Sequence, residues 1–414
     1  MSTEGTRPQD LRRKNARYML RLLSETSSLT INEITGRMNL SRTAVQNILN
    51  EFIQGGLVEE KEKRASTRLG GKRAASYAIC AGYRYSFFLY LSTENVLVEL
   101  NDFALNQISC RIADVVHFSY EEMVQQVAEL IQMMMRTENV FPEQIYGIAA
   151  AISGMVDSDN GVLLEFTGKD TQSRWGRNRY FAKDLQNQLG FSSDIFVDNM
   201  CNFSGYASYL SSTEGGTNSC VYILAHSNGI GATFLQNGKI FRGAHNLTGE
   251  IGHTAMEGKS YVRCRCGRMG CFESLLYPES IRNAAHNAAE NGVKVDPNSI
   301  QSMDDLLRLA EKGNTYAVEE VERIGRLFAR LFYNIQLMVD PECIIFHDAF
   351  PVHSGVLHRA LEKACSEEGK HLLKVPIQIL FDEGLFTERV RRGAALCLRA
   401  RFLNQTRKDN GEPL

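Results

Sequence analysis

Apolar positions at the start of the chain recur at helical spacing and then switch to alternation. Between Asp10 and Ser24, residues Leu11, Tyr18, Met19, Leu22 and Leu23 form one stripe with arginines opposite, which predicts an amphipathic helix. Thr30, followed three residues later by Glu33, reads as a capping box, and Ile31, Ile34 and Met38 give a short second helix its inner face. Asn39-Leu40 makes a turn. Ser41 caps a third helix with Ala44, Val45, Ile48, Leu49 and Phe52 inside, and Gly55-Gly56 ends it. Leu57-Val58, a polar loop and the alternating Ser76-Tyr77-Ala78-Ile79 predict a two-stranded wing. Three helices followed by a wing form a winged helix-turn-helix, expected over residues 1–80.

From Tyr83 the pattern belongs to a larger α/β body. Phe87–Leu91 and Val96–Leu100 read as paired strands, and Ile145–Ile152 as a buried strand. Glu121–Arg136 reads as a helix with Met123, Val127, Leu130 and Ile131 inside. Ile195–Val197 and Cys220–Leu224 are further strands. Helices over Met303–Ala310, Tyr316–Val339 and Val356–Cys365 then accompany strands at Cys343–Phe346 and Ile377–Leu380. Two successive sets of strands and helices imply a body of two lobes with a cleft between them, over residues 81–404. Residues 405–414 are expected to be a disordered tail.

Composition narrows the class. The 414 residues are 43% hydrophobic, ample for a core and in line with two or three domains. The longest apolar run, Ile145 to Val156, is interrupted by glycines and too short for a spanning helix, and the polar, basic N-terminus has no signal-peptide core. Membrane and secreted classes are excluded, and a cytoplasmic location is expected. The net charge of −2 conceals an asymmetry: residues 1–76 hold 14 Lys/Arg and 8 Asp/Glu, a net of +6, leaving −8 for the remainder.

A basic head with a winged-helix pattern points to nucleic acid. Ser41, Arg42, Thr43, Gln46 and Asn47 fall at the exposed start of the third helix, which in this arrangement enters the major groove. Arg reads guanine, Gln and Asn read adenine, and hydroxyls suit phosphates. In the wing, Arg64, Arg68, Lys72 and Arg73 surround Gly70-Gly71, a basic loop suited to phosphate or the minor groove. The competing reading is a three-helix protein-interaction module with a solvated basic loop.

The densest chemistry lies in Gly249-Glu250-Ile251-Gly252-His253, followed by Cys264-Arg265-Cys266-Gly267-Arg268-Met269-Gly270-Cys271-Phe272-Glu273. His253, Cys264, Cys266 and Cys271 are a full tetrahedral set for one structural zinc ion. Gly267 and Gly270 let the loop fold back so that Cys271 reaches the same ion. A redox pair would more often be Cys-x-x-Cys on a helix.

This Glu-x-Gly-His, Cys-x-Cys-Gly-x-x-Gly-Cys-x-Glu pattern resembles the ROK family of repressors and sugar kinases. The resemblance implies a winged helix ahead of an actin-like (ribonuclease H-like), two-lobed sugar-kinase fold. It also implies sugar contacts from Glu250, His253 and Glu273, and from Asn199 in Val197-Asp198-Asn199-Met200-Cys201-Asn202. Two departures stand out. The interval from His253 to Cys264 is about one residue longer than the family pattern. Met200 occupies the place of the aspartate that serves family kinases as general base, with Asp198 two residues away on what reads as the same strand. The family's Asp-x-Gly-Gly-Thr phosphate element is missing from the corresponding Ile79–Tyr85. His226–Ala232 keeps Gly229 and Gly231 only, and Phe346-His347-Asp348-Ala349 replaces the glycines that pack adenosine. Bulky residues where backbone must approach phosphate argue against catalysis.

The resemblance therefore implies a regulator without enzymatic activity, a repressor of carbohydrate-metabolism genes. Its partners would be a double-stranded DNA operator and a sugar or sugar-phosphate effector, and it would form a homodimer or dimer of dimers. An active sugar kinase, or a regulator answering to a protein partner, are the alternatives.

Overall fold

The computed structural model describes residues 8–24, 26–61, 75–92, 94–166, 175–213, 217–227, 229–255, 262–350, 355–368 and 376–409. The head consists of α1 (Pro8–Ser24), β1 (Leu29–Thr30), α2 (Ile31–Met38), α3 (Arg42–Gln54), β2 (Val58–Lys61) and β3 (Ser76–Ile79). Its helix boundaries follow the capping chemistry. The Thr30 hydroxyl accepts from Glu33 N while the Glu33 carboxylate accepts from Thr30 N, and Asn39 closes α2 in the left-handed region at φ 50°. Ser41 Oγ accepts from Ala44 N at 3.2 Å, and Val45, Ile48, Leu49 and Phe52 are buried along α3. The wing gains a strand that sequence did not anticipate: β1 pairs with β3, giving the order β1-β3-β2. Two residues are too few to show alternation.

The first lobe of the body is built on β4 (Tyr85–Leu91), β5 (Asn95–Asp102), β6 (Gln107–Asp114), β7 (Ile145–Ile152) and β10 (Ile195–Asn199), in the order β10-β7-β4-β5-β6. A small hairpin, β8 (Gly154–Asp157) and β9 (Val162–Phe166), follows β7. Helices α4 (Tyr120–Glu138) and α5 (Phe181–Leu189) cover this sheet over a core that includes Phe87, Leu89, Val127, Ile148 and Leu185.

The second lobe has β11 (Ser219–His226), β12 (Gly229–Gln236), β13 (Lys239–Phe241), β14 (Cys343–Asp348) and β15 (Ile379–Phe381), in the order β13-β12-β11-β14-β15. Between β13 and β14 run α7 (Pro278–Glu290), α8 (Met303–Glu311) and α9 (Thr315–Val339); α10 (Gly355–Glu368) follows β14. Val221, Ile223, Phe328, Phe332 and Phe346 lie in the core of this lobe. The last strand is displaced from the expected Ile377–Leu380 to Ile379–Phe381.

Two helices tie the pieces together. α6 (Met200–Ser212) packs on strands of both sheets, and α11 (Phe386–Asp409) packs along α6. The approach is close enough to require glycine: a Cβ on Gly393 would fall 1.8 Å from the Phe203 carbonyl oxygen. α11 continues to Asp409, so residues 405–409 of the expected tail are helical. The head shares a core with the body, in which Leu23, Phe52 and Tyr77 pack with Phe103, Tyr146, Phe203 and Leu398.

The structure corrects one expectation about chain placement. Met200 begins α6 and is buried in this shared core, so it does not occupy one strand face with Asp198.

Candidate functional site

A cleft opens between the lobes. Its first wall is Gly154, Met155 and Val156 with Asn199, Cys201 and Asn202; the facing wall runs from Gly231 and Ala232 to Arg242, Asn246 and Thr248–Glu250. Asn199 sits where β10 becomes α6. Its Oδ1 caps the helix by accepting from Cys201 N at 2.6 Å, while Nδ2 donates to the Gly154 carbonyl at 2.5 Å. Asp198 beneath it is 1% exposed, and accepts from Asn202 Nδ2 at 2.8 Å, from Asn199 N at 2.8 Å and from the Arg242 guanidinium. Burial of a carboxylate at this depth is tolerable only with such partners. The ion pair spans the cleft, since Arg242 follows β13 of the second lobe.

Glu250 lies on the second-lobe wall, its carboxyl pushed up by burial and by the neighbouring Glu273 against the opposing pull of His253. Its Oε2 is 3.8 Å from His253 Nε2. The other side of the same imidazole faces the cysteines: Nδ1 is 3.5 Å from Cys264 Sγ. His253, Cys264, Cys266 and Cys271 bring one donor atom each to within 4.8 Å of one another, and Cys266 Sγ lies 3.5 Å from Cys271 Sγ.

A tetrahedral site with zinc–sulfur bonds of about 2.3 Å separates its sulfurs by about 3.8 Å, so the donor set fits such an ion. The loop reaches this shape through Gly267 and Gly270, at φ 88° and 81°, and through Cys264 N donating to Arg268 O at 2.9 Å. Burial pushes the Cys264 thiol well up, so a thiolate there calls for a cation beside it.

Glu273 is 7% exposed and belongs to this cluster rather than to the cleft wall. Its Oε1 accepts from the Tyr277 hydroxyl at 2.6 Å and lies 3.1 Å from Cys264 Sγ and 3.7 Å from His253 Nδ1. Of the four side chains expected to meet a sugar, Asn199 and Glu250 line the cleft, and His253 and Glu273 stand behind it among the cysteines. Sequence reasoning missed Arg242 and Tyr277. Neither has a local signal, since Arg242 is a single arginine between Phe241 and Gly243, and Tyr277 opens an ordinary helix.

In the head, Ser41, Arg42, Thr43 and Asn47 are exposed on α3 and Gln46 is half-buried. Arg42 Nη1 donates to Asn32 Oδ1 at 2.6 Å, and Gln46 Nε2 to Asn50 Oδ1 at 3.0 Å. The Ser41 hydroxyl is engaged as a cap. Arg64, Arg68, Lys72 and Arg73 lie outside the described residues.

Among the described residues, no helix is long and apolar enough to cross a membrane. His226 at the end of β11 pairs with Gly229 at the start of β12, and Phe346-His347-Asp348 is the buried end of β14.

Comparison with known proteins agrees with this architecture. Residues 102–400 match the ROK family, and residues 12–59 match a winged helix-turn-helix DNA-binding domain. The chain is 22% identical over 378 residues to the DNA-binding transcriptional dual regulator NagC of Escherichia coli K12, covering 89% of this chain and 88% of that protein. It is 21% identical over 341 residues to the xylose repressor of Caldicellulosiruptor bescii, covering 81% and 83%. Among solved structures, a ROK family transcriptional regulator homologous to the E. coli MLC protein superposes with a TM-score of 0.70 at 18% identity, covering 95% of this chain and 97% of that one. A ROK hexokinase from Thermus thermophilus gives 0.58 at 18% identity, covering 77% of this chain and 99% of its own.

Proposed function

The chain belongs to the ROK family, and from that premise we propose that it is a DNA-binding transcriptional regulator, a repressor of carbohydrate-metabolism genes governed by a sugar or sugar phosphate in the interlobe cleft. The observation that carries this reading is the winged head built into one core with a body whose cleft is walled by amide, hydroxyl and carboxylate side chains. Such groups accept or donate in fixed directions, which suits vicinal hydroxyls. Similarity to NagC and to a xylose repressor supports the same class of ligand and target.

In this reading α3 enters the major groove, with Arg42, Gln46 and Asn47 at base edges and Ser41 and Thr43 at the backbone. Arg64, Arg68, Lys72 and Arg73 of the wing add phosphate contacts. Asn199 and Glu250 meet the sugar from the cleft wall, and His253 and Glu273 complete the contacts from beside the cysteines. His253, Cys264, Cys266 and Cys271 hold one structural zinc ion, which would fix the shape of the loop supporting Glu250. The protein acts in the cytoplasm as a homodimer or dimer of dimers, matching a palindromic site. The ligand alters DNA affinity by preferring one lobe geometry.

Met200 favours a second reading. A buried thioether stands where family kinases place a carboxylate, so a hydroxyl contact is lost and a protein partner could replace the sugar as the signal.

Fluorescence anisotropy of the metal-loaded protein on DNA from upstream of its own gene, at fixed salt, tests both. A shift in affinity with one member of a panel of free and phosphorylated sugars is the expected result. Tight DNA binding indifferent to every sugar overturns sugar control and leaves the protein-partner reading.

A further inference from the structure

One helix touches both the cleft and the head. The first turn of α6 forms part of the cleft wall through Cys201 and Asn202, with Asn199 as its cap. Its last turn meets α1, where Arg21 Nη1 donates to the Leu210 carbonyl at 3.4 Å. At about 1.5 Å per residue the two ends are roughly 16 Å apart.

Buried polar contacts along the helix fix its axial position. Ser204 Oγ is 2.6 Å from the Tyr222 hydroxyl, which lies 2.8 Å from His347 Nδ1. One turn on, Ser208 donates to Asp382, which is also held by Arg389 Nε and Nη2 at 3.1 and 2.8 Å. α11 lies against α6 at the glycine contact described above, and its buried Arg399 donates to Ser24 Oγ at 2.6 Å and to the Phe103 carbonyl at 3.3 Å. Arg21 and Ser24 belong to the final turns of α1, so α6 and its partner helix grip the same end of the head helix.

We infer that α6 is the rod by which the state of the cleft reaches the winged head, with Arg21–Leu210 and Arg399–Ser24 as two directional contacts, beside the shared core, through which the head reads it. The inference rests on the reading of this chain as a cleft-governed DNA-binding protein. A packed helix moves as a unit, because a close-packed interior passes on a displacement instead of absorbing it. Directional bonds at both ends convert that movement into a change of orientation of α1, and α1 shares its core with α2 and α3. A ligand that pulls on Asn199 or Asn202 thus biases the DNA-reading helix without touching the head.

The test is a double-mutant cycle in the full-length protein, using an operator selected from random-sequence DNA by the wild type. Asn202→Ala loosens the cleft end; Arg21→Ala and Ser24→Ala loosen the head end. Substitutions this far apart normally combine independently, within a factor of about two. We expect Asn202→Ala to change DNA affinity by about fivefold or more in the wild-type background, beyond that factor of about two. In either head-end background it should change affinity by less than about twofold. Arg21→Lys should restore part of the effect.

Equal fold-changes in all backgrounds, or no change from Asn202→Ala alone, overturn the inference. Ser24→Ala, which removes one hydroxyl, keeps the cycle open should Arg21→Ala fail to fold. If no operator emerges, the DNA-binding reading fails, and hydrogen exchange without DNA decides the rod by itself. Ser24→Ala should then speed exchange in the first turn of α6 while leaving α4 unchanged; an unaltered first turn overturns it.

Discussion

The cysteine cluster and the cleft adjoin each other and share His253, yet they are built on opposite principles. In the cluster, three of the four donors fall within Cys264–Cys271 and converge without help from distant strands. Among the described residues, their sulfurs lie against one another and against His253, Glu273 and Tyr277. In the cleft, the polar side chains come from β10, α6 and the segment after β13, and they are already bonded: Asp198 to Arg242 across the lobes, and Asn202 to Asp198 and Asn199 to Gly154 along the first wall. The cluster is a local device, shaped by residues a few positions apart. The cleft is a long-range device, held by a bond between residues 44 positions apart.

The strongest way to break this contrast is to empty the cluster. Chelation, or Cys271→Ser, should abolish a stoichiometry of about one zinc per chain, read by elemental analysis. Thermal stability should fall by several kcal/mol, a part of the roughly 10–16 kcal/mol that zinc contributes to small fingers, because this loop also rests on an existing core. A metal-free protein of unchanged stability would mean that the cluster is not a structural centre. Next in size is Arg242→Leu, which strands the buried Asp198. Removing one member of a buried pair costs about 3–5 kcal/mol, and the partial exposure of Arg242 places the loss near the lower end, about 3 kcal/mol by denaturant titration. A loss below about 1 kcal/mol would show that the pair behaves as a surface contact.

The same contrast explains what was legible in the sequence. Short-range features could be read directly: the capping box at Thr30–Glu33, the Ser41 cap, the buried face of α3 and the grouping of Cys264, Cys266 and Cys271 all depend on residues a few positions apart. Pairings between remote segments could not. Nothing in Phe241-Arg242-Gly243 announces that its guanidinium meets Asp198, 44 positions earlier in the chain. Met200 was set on a strand because an apolar residue after Ile195–Val197 continues the pattern, whereas the Asn199 side chain caps a helix there. Glu273 was grouped with the sugar contacts by resemblance, and only the fold turns it toward Tyr277 and Cys264.

Tyr277→Phe sharpens the boundary between the two regions. It removes the hydroxyl that donates to Glu273 and leaves a buried carboxylate oxygen short of a partner, at a cost of about 1–3 kcal/mol. Zinc content should be retained, since Tyr277 is not among the four donors. Loss of the metal along with stability would instead make Tyr277 part of what shapes the cluster.

The smallest expected effect separates structure from recognition within one residue. Asn199 serves as the cap of α6, so Asn199→Ala should destabilise by about 1 kcal/mol, the usual worth of a side-chain cap. Asn199→Asp keeps an acceptor for Cys201 N and places a negative charge at a helix N-terminus, where it is favourable by about 0.3–1 kcal/mol. It loses the donor to the Gly154 carbonyl and gains a carboxylate neighbour in Asp198, so its stability should fall within about 1 kcal/mol of wild type. If Asn199 only holds α6 in place, Asn199→Asp will respond to the effector as the wild type does and Asn199→Ala will respond weakly. If its amide also donates to a sugar hydroxyl, both variants lose the response, because a carboxylate has no hydrogen to give. Denaturation curves together with anisotropy titrations on the two variants therefore tell whether the cleft meets its ligand through the very group that caps α6.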